Sequence, residues 1–239
     1  MIPIRRATSA DRAGVERIVN NVWGQDVRDD AFRAHLQAET HALWVAEAQG
    51  EVVGFVSAFI TLARDGQIRW EIDLIAVEPN DQGQGIGGKL IAKTCRDGRM
   101  RAVDLVRALI RVDNLPSQRA FSRVGFSSDG EIYQLLTWTP RPGAEDPCPD
   151  QIALLPVDTL TYRGLWIEGL DSLSRQDQRR ALEVARAVAA AESCDNAGTV
   201  FPARQVEHLP PQLRAEADLQ GSYYWFSKQI SEHPSGDSR

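Results

Sequence analysis

Cysteine is scarce in this chain: three in 239 residues, at positions 95, 148 and 194, with no C-x-x-C pair. That spacing argues against a disulfide framework and against a zinc site. The four histidines, His35, His41, His208 and His233, are not spaced with a second ligand for a metal, so surface or capping roles are expected and no metal is implied. Long apolar runs are missing too. Nothing approaches the roughly 20 residues of a membrane span, and the first residues lack a signal peptide's apolar core, which reads as a soluble cytoplasmic protein without a membrane partner. There is no excess of positive charge either: the formal net charge is −6, with 17 Lys+Arg against 18 Asp+Glu in residues 1–140 and 10 against 15 in the remainder. A nucleic-acid partner needs a basic stripe, and neither part supplies one. No Gly-x-Ser-x-Gly elbow appears, so a transferred acyl group would move directly rather than through a covalent enzyme intermediate.

What is present suffices for a real core: 43% of the residues are hydrophobic, in a length that fits one large or two small domains. Residues 2–7 read as a first strand, and Thr8 with Asp11 as a capped helix start, followed by an apolar face at Val15, Ile18, Val19 and Val22. A second helix is expected over 29–37. Apolar runs at 43–48 and 52–62, joined by Gln49-Gly50-Glu51, form a hairpin. A strand, a glycine-rich turn and a helix follow, then a strand at 103–111, a short helix and a closing strand at 132–139. The order β-α-α-β-β-β-α-β-α-β is mixed α/β with an antiparallel start.

Residues 72–97 carry the chemistry. The apolar run over 72–77 has the β-branched content of a buried strand, and Pro79 and Asn80 stop it. The turn Gln82-Gly83-Gln84-Gly85-Ile86-Gly87-Gly88 then leads into a helix from Lys89. Glycines at this density aim several backbone N–H groups at one point and let a ligand approach closely, and the helix head behind them favours an anion. A pyrophosphate is the natural occupant. Leu90 stands where a P-loop needs a magnesium-binding hydroxyl, so an NTPase is not indicated. A dinucleotide fold would place such a turn after its first strand, not some seventy residues in.

The pattern Gln82-x-x-Gly85-x-Gly87 after I-A-V-x-P resembles motif A of the GNAT N-acetyltransferase superfamily. Asn114, Ser117, Phe121, Gly125 and Phe126 stand at the spacings of its motif B. This resemblance covers residues 1–140 and implies a GNAT-like central mixed sheet flanked by helices. It also implies acetyl-coenzyme A as cosubstrate and an amine as acceptor. It places the cosubstrate on the backbone of Ile75, Ala76 and Val77, on residues 82–88 with Lys89, and on Asn114, Ser117 and Phe121. The region between the first two strands would wall the acceptor site, bringing Trp23 and Trp44 into consideration beside ordinary core packing.

On an alternating fourth strand Glu71, Asp73, Ile75 and Val77 share one face. Two carboxylates there are costly unless they face water or have a task. An ammonium ion cannot attack a thioester until it loses a proton, and a partly desolvated carboxylate is a suitable base. By the resemblance Glu71 is the favoured base and Asp73 the fallback; amine binding is the competing reading. Phe121 departs from the superfamily, where a Tyr at this position commonly protonates the leaving thiolate. A thiol of pKa about 8.5 tolerates departure without an acid. Ser122, Tyr133 and Ser117 are the substitutes. The alternative is a catalytically silent coenzyme-A-binding regulatory or interaction protein.

Four prolines within 140–149 read as a linker, giving domains at 1–140 and 151–231 with a disordered tail at 232–239. The second is expected to be a smaller α+β domain, with a strand over 160–168, a long helix over 173–192 and a short one over 211–219. Its cluster Tyr223-Tyr224-Trp225-Phe226 is expected to fold back on Tyr162 and Trp166, as a small core, a cover for the acceptor cleft or a homodimer contact. Without a second glycine turn, a tandem acetyltransferase is not expected.

Overall fold

The computed structural model describes residues 2–143 and 148–230, so the expected tail and part of the expected linker lie outside the described residues. Two compact units divide the chain. The first holds the described part of Met1–Ala108, Pro116–Ser127 and the described residues from Phe226 on; the second holds Leu109–Leu115 and the described part of Ser128–Trp225.

The first unit begins β1 (Ile4–Arg6), α1 (Arg12–Trp23), α2 (Asp29–Gln37), β2 (His41–Ala48), β3 (Glu51–Leu62), β4 (Ile68–Val77), α3 (Ile86–Met100) and β5 (Leu105–Arg111), and α4 (Leu115–Arg123) follows. With β6 (Ser127–Ser128) and β7 (Tyr133–Trp138), this is the predicted order plus one two-residue strand. Strands β1 to β4 pair antiparallel in sequence, and β5 joins β4 in parallel through the α3 crossover. Thr8 starts the first helical segment as expected: its N–H and hydroxyl both donate to Asp11 Oδ2, at 2.7 and 2.9 Å. Val15, Ile18 and Val19 are buried as expected, but Val22 is 48% exposed and does not join that face.

Helices cover both faces, which is why β3 is apolar almost throughout. The ring of His35 on α2 meets His41, whereas Trp44, three residues along β2 and therefore on the other face, donates its indole N–H to Asp97 of α3 at 3.3 Å. His35 thereby departs from the expected surface role. It is 0% exposed, its Nδ1 bonds the Ala31 carbonyl at 2.8 Å, and burial pushes its pKa down to about 3, so the ring is neutral.

The second unit has the hairpin β8 (Ala153–Asp158) and β9 (Arg163–Glu168), the helix α5 (Arg175–Ala191), and β10 (Asn196–Pro202) parallel to β9. Then come α6 (Pro211–Ala215) and β11 (Asp218–Gln229), whose residues from Phe226 on belong to the first unit. Strand β7 lies between β10 and β11, antiparallel to both. The predicted long helix is present, but the predicted strand over 160–168 is the second arm of a hairpin, and the helix expected to reach 219 stops at Ala215. The sequence hides these strands because β8 and β10 are short and interrupted by Pro or Gly, and β11 shifts register between Leu219 and Gly221. A hairpin followed by a parallel helical crossover thus occurs in each unit: β3-β4-α3-β5 in the first and β8-β9-α5-β10 in the second. Trp138, Leu165, Ile167, Leu182, Ala185 and Phe201 form the core of the second, where Trp138 donates its indole N–H to Leu213 O at 2.8 Å. The rings of Trp166 and Trp225 meet edge-on at 6.4 Å, the fold-back the sequence leads one to expect.

Candidate active site

Beyond Val77 the chain makes one 3-10 turn over Pro79–Asp81 and then enters the glycine turn. The Gln82 side chain donates to Val77 O at 3.0 Å and ties the turn to the strand end. Gly83 and Gly85 have φ of +77° and +74°, a region other residues seldom enter. A Cβ on Gly83, Gly85 or Gly87 would meet nothing within 4 Å, so the backbone there is open to approach. None of the N–H groups of residues 83–88 has an acceptor among the described residues; the Lys89 N–H is the first to find one, in Gly85 O at 3.1 Å. Ile86 buries its side chain and anchors the helix head, and no acidic residue stands in the first turn of α3. Unpartnered donors, a positive helix end and open space fit a diphosphate, with Gln82, Gly83, Gln84, Gly85, Ile86, Gly87, Gly88 and Lys89 the residues to hold it.

Strand β4 does not alternate as expected. Ala58 pairs with Ile72 but Val56 pairs with Ile75, so the single residue Ser57 faces two, Asp73 and Leu74. This bulge shifts the alternation by one and moves Ile75 and Val77 to the face of Ile72, away from Glu71. The parallel ladder to β5 ends at Ile72↔Ala108 among the described pairs, which leaves the backbone of Ile75, Ala76 and Val77 paired to β3 alone.

The two carboxylates have opposite surroundings. Glu71 is 3% exposed, and Arg107 Nε donates to both of its oxygens at 2.9 and 2.8 Å. The Thr61 hydroxyl donates to the same carboxylate at 2.5 Å, and Arg69 Nε lies 3.8 Å away. Asp73 is half-buried as a residue, yet its Oδ2 is sealed from solvent and has no hydrogen-bond partner. The surroundings of that carboxyl, rather than of the residue as a whole, govern its titration. Burial pushes its pKa up to about 7, the Ser57 hydroxyl opposes that rise, and the negative charge of Glu71 adds to it.

Phe121 is 1% exposed and packs edge-on against Phe126 at 5.0 Å, so in the first unit it is a core residue of α4, as is usual for an aromatic ring without a polar tip. Ser117 is half-buried in the first turn of α4, and Ser122 is exposed on it. In the second unit, Asn114 is exposed with its N–H on Arg111 O at 3.1 Å. Tyr133 donates its hydroxyl to Asp129 at 3.1 Å, and burial, with Asp129 beside it, raises its pKa to about 12. Trp44 lies under Lys93, whose Nζ is 4.2 Å from the ring centre, on the α3 face. Trp23 remains partly exposed at the end of α1, edge-on to Phe55. Ser57, Thr61 and Arg107 are absent from the sequence reading because only strand register brings them to the carboxylates. Among the described residues no group of His, Cys, Asp and Glu is placed to hold a metal ion, and no helix is long and apolar enough to cross a membrane.

A strand leading through an open glycine turn into a helix head suits a diphosphate-bearing cosubstrate, and the desolvated carboxyl on that strand suits proton transfer. Residues 13–126 match the family model described as acetyltransferase (GNAT) family. The L-2,4-diaminobutyric acid acetyltransferase of Virgibacillus pantothenticus is 33% identical over 145 residues, which span 58% of this chain and 89% of that protein. The chain belongs to the GNAT family and is an acetyl-coenzyme-A-dependent N-acetyltransferase. Two solved structures extend the likeness. Arabidopsis thaliana NAA60 in complex with acetyl-CoA aligns with a TM-score of 0.50 and 19% identity over 56% of this chain and 90% of its own. A GCN5-related glucosamine N-acetyltransferase region of a fungal multi-domain GH3 β-N-acetylglucosaminidase aligns with a TM-score of 0.60 and 12% identity, over 95% of this chain and 38% of that one. At such identities the likeness is one of fold.

Proposed function

We propose that the enzyme acetylates a primary amine of a small diamino acid by direct attack, with Asp73 as the general base. The observation that carries this reading is Asp73 itself: a carboxyl at the β4 bulge, with an unpartnered Oδ2 and a pKa near neutrality. A base is most effective when its pKa lies near the working pH. Glu71, its carboxylate already committed to Arg107 and Thr61, serves the site by holding charge in place. Asp73 takes the proton from the ammonium ion, the freed amine attacks the thioester carbonyl, and the backbone of Ile75, Ala76 and Val77 aligns the acyl arm. Phe121 offers no proton to the departing thiolate, whose own basicity is low enough for it to leave unassisted. The diamino-acid acceptor is supported by the relative named for L-2,4-diaminobutyrate.

Thiol release from acetyl-coenzyme A, followed from pH 5.5 to 9 across 2,4-diaminobutyrate, ornithine, lysine and simple alkylamines, tests both parts. Asp73→Asn lowers kcat by about 100-fold or more and removes the acidic limb near pH 7. Glu71→Gln keeps that limb and moves it down, because a like charge is gone. The reverse pattern returns the base to Glu71. A preference for alkylamines without a carboxylate excludes the diamino-acid acceptor.

A further inference from the structure

The glycine turn departs from the end of β4, and α1 holds that point from outside the turn. The helix seats close against β3 there: Gly14 has no side chain, and a Cβ on it would lie 2.8 Å from Val52 Cβ. Arg17, three residues on and therefore on the same helix face, reaches both the start of β3 and the end of β4. Its guanidinium donates to Val52 O at 2.8 Å, to Glu78 Oε1 at 3.2 Å and to Glu51 Oε2 at 3.5 Å. The Glu51 side chain is largely in solvent, so that contact carries little. Glu78 is different, with a side chain only 18% exposed. Its N–H continues the ladder onto Val53 O at 2.8 Å, and its carbonyl accepts the Asp81 N–H at 2.9 Å within the 3-10 turn that leads to Gln82. The Gln82 side chain then folds back on Val77, the residue before Glu78. A mostly buried carboxylate therefore stands at the root of a turn whose open N–H groups suit an anion.

We propose that Arg17 is a positioning residue for acetyl-coenzyme A: it neutralises Glu78 at the root of the glycine turn, so that this carboxylate does not repel the diphosphate. Without its partner, Glu78 is an uncompensated negative charge in a mostly buried place. Its repulsion acts on the anion through space, while the N–H groups of residues 83–88 stay where they are. This inference rests on the glycine turn being the diphosphate site, and not on which carboxyl is the base or which amine is the acceptor.

The test titrates coenzyme A calorimetrically into the parent enzyme, Arg17→Gln, Arg17→Lys, Glu78→Gln and the double variant Arg17→Gln/Glu78→Gln, at low salt and at about 0.5 M salt. Arg17→Gln is expected to weaken coenzyme A by about 10-fold at low salt and by clearly less at high salt, because salt screens a repulsion. Arg17→Lys keeps the charge, and the double variant removes the need for it, so both are expected to stay within about threefold of the parent. Glu78→Gln is expected to bind at least as tightly as the parent. A merely structural arginine would leave the double variant as weak as Arg17→Gln at both salt concentrations; that result, or an unchanged affinity in Arg17→Gln, overturns the proposal. Gly87→Asp is the control for the turn itself. If it leaves coenzyme A affinity unchanged, the diphosphate lies elsewhere and the role of Arg17 fails with that reading.

Discussion

Two strand-to-helix turns in this protein follow the same path and end in opposite chemistry. After β4 the chain reaches α3 through Gly83, Gly85 and Gly87, around which a Cβ would find open space. After β9 it reaches α5 through Gly169, where a Cβ would lie 2.7 Å from Gln151 O. The head of α3 keeps its N–H groups unpartnered. The head of α5 is closed by its own residues: Ser174 Oγ accepts the Asp177 N–H at 3.3 Å, and the Ser174 hydroxyl donates to the Asp177 carboxylate at 2.6 Å. A carboxylate in the first turn already fills the place an anion would take. Topology alone therefore does not distinguish the two turns; the α3 turn differs both in its uncapped helix head and in the open space around its glycines.

The largest expected effect comes from making the first turn resemble the second. Gly87→Asp places a carboxylate at the head of α3, in a position with room for a side chain. It should weaken acetyl-coenzyme A by about 100-fold or more through charge repulsion and competition for the free N–H groups. Isothermal titration measures this. The same titration on the parent should give one coenzyme A per chain, and a second site of similar affinity would refute the contrast between the turns.

A second difference concerns stability. The first unit holds an uncompensated carboxyl, whereas Asp177 in the second is satisfied. The pKa of Asp73 is raised from about 3.9 in an unfolded chain to about 7, so its contribution is fully present below about pH 4 and is lost as pH rises through about 7. Asp73→Asn removes that loss. Its melting temperature should exceed the parent's by roughly 10 °C at pH 8 and converge with it below about pH 4, as followed by calorimetry. A constant gap at all pH values would mean that the carboxyl is not strained by burial.

Much of the first unit was legible because its signals are local. Thr8 and Asp11, the stop at Pro79, and the glycines of 83–88 each state their conformation within a few residues, and α2 runs over the predicted residues. The carboxylates were legible as candidates but not in their roles. Glu71 and Asp73 look alike on an alternating strand; what separates them is a one-residue shift opposite Ser57 and an arginine, Arg107, brought in by the parallel register of β5. Neither has a sequence period. The second unit was less legible for the same reason. Its strands pair across long separations, with β7 meeting β10 and β11, and Pro156, Gly198 and Gly221 blur the alternation. Looking for a second glycine turn tests for a second cofactor site, not for a second crossover, and here only the crossover is repeated.

The smallest effect tests the closed turn itself. Ser174→Ala removes the acceptor for the Asp177 N–H and the donor to its carboxylate, both at the exposed end of α5. Loss of such a cap costs about 1 kcal/mol, or about 2–4 °C in melting temperature for a chain of this size. Catalysis should be unaffected, because the α3 head is unchanged. Opening α5 in this way should create no cofactor affinity: Asp177 still stands in its first turn, and the Gly169 turn is packed against Gln151. Adding Asp177→Asn removes the charge but not that packing, so the double variant should still bind one coenzyme A. If it bound two, the cap alone would separate the turns, and the open space around Gly83, Gly85 and Gly87 would not be the requirement.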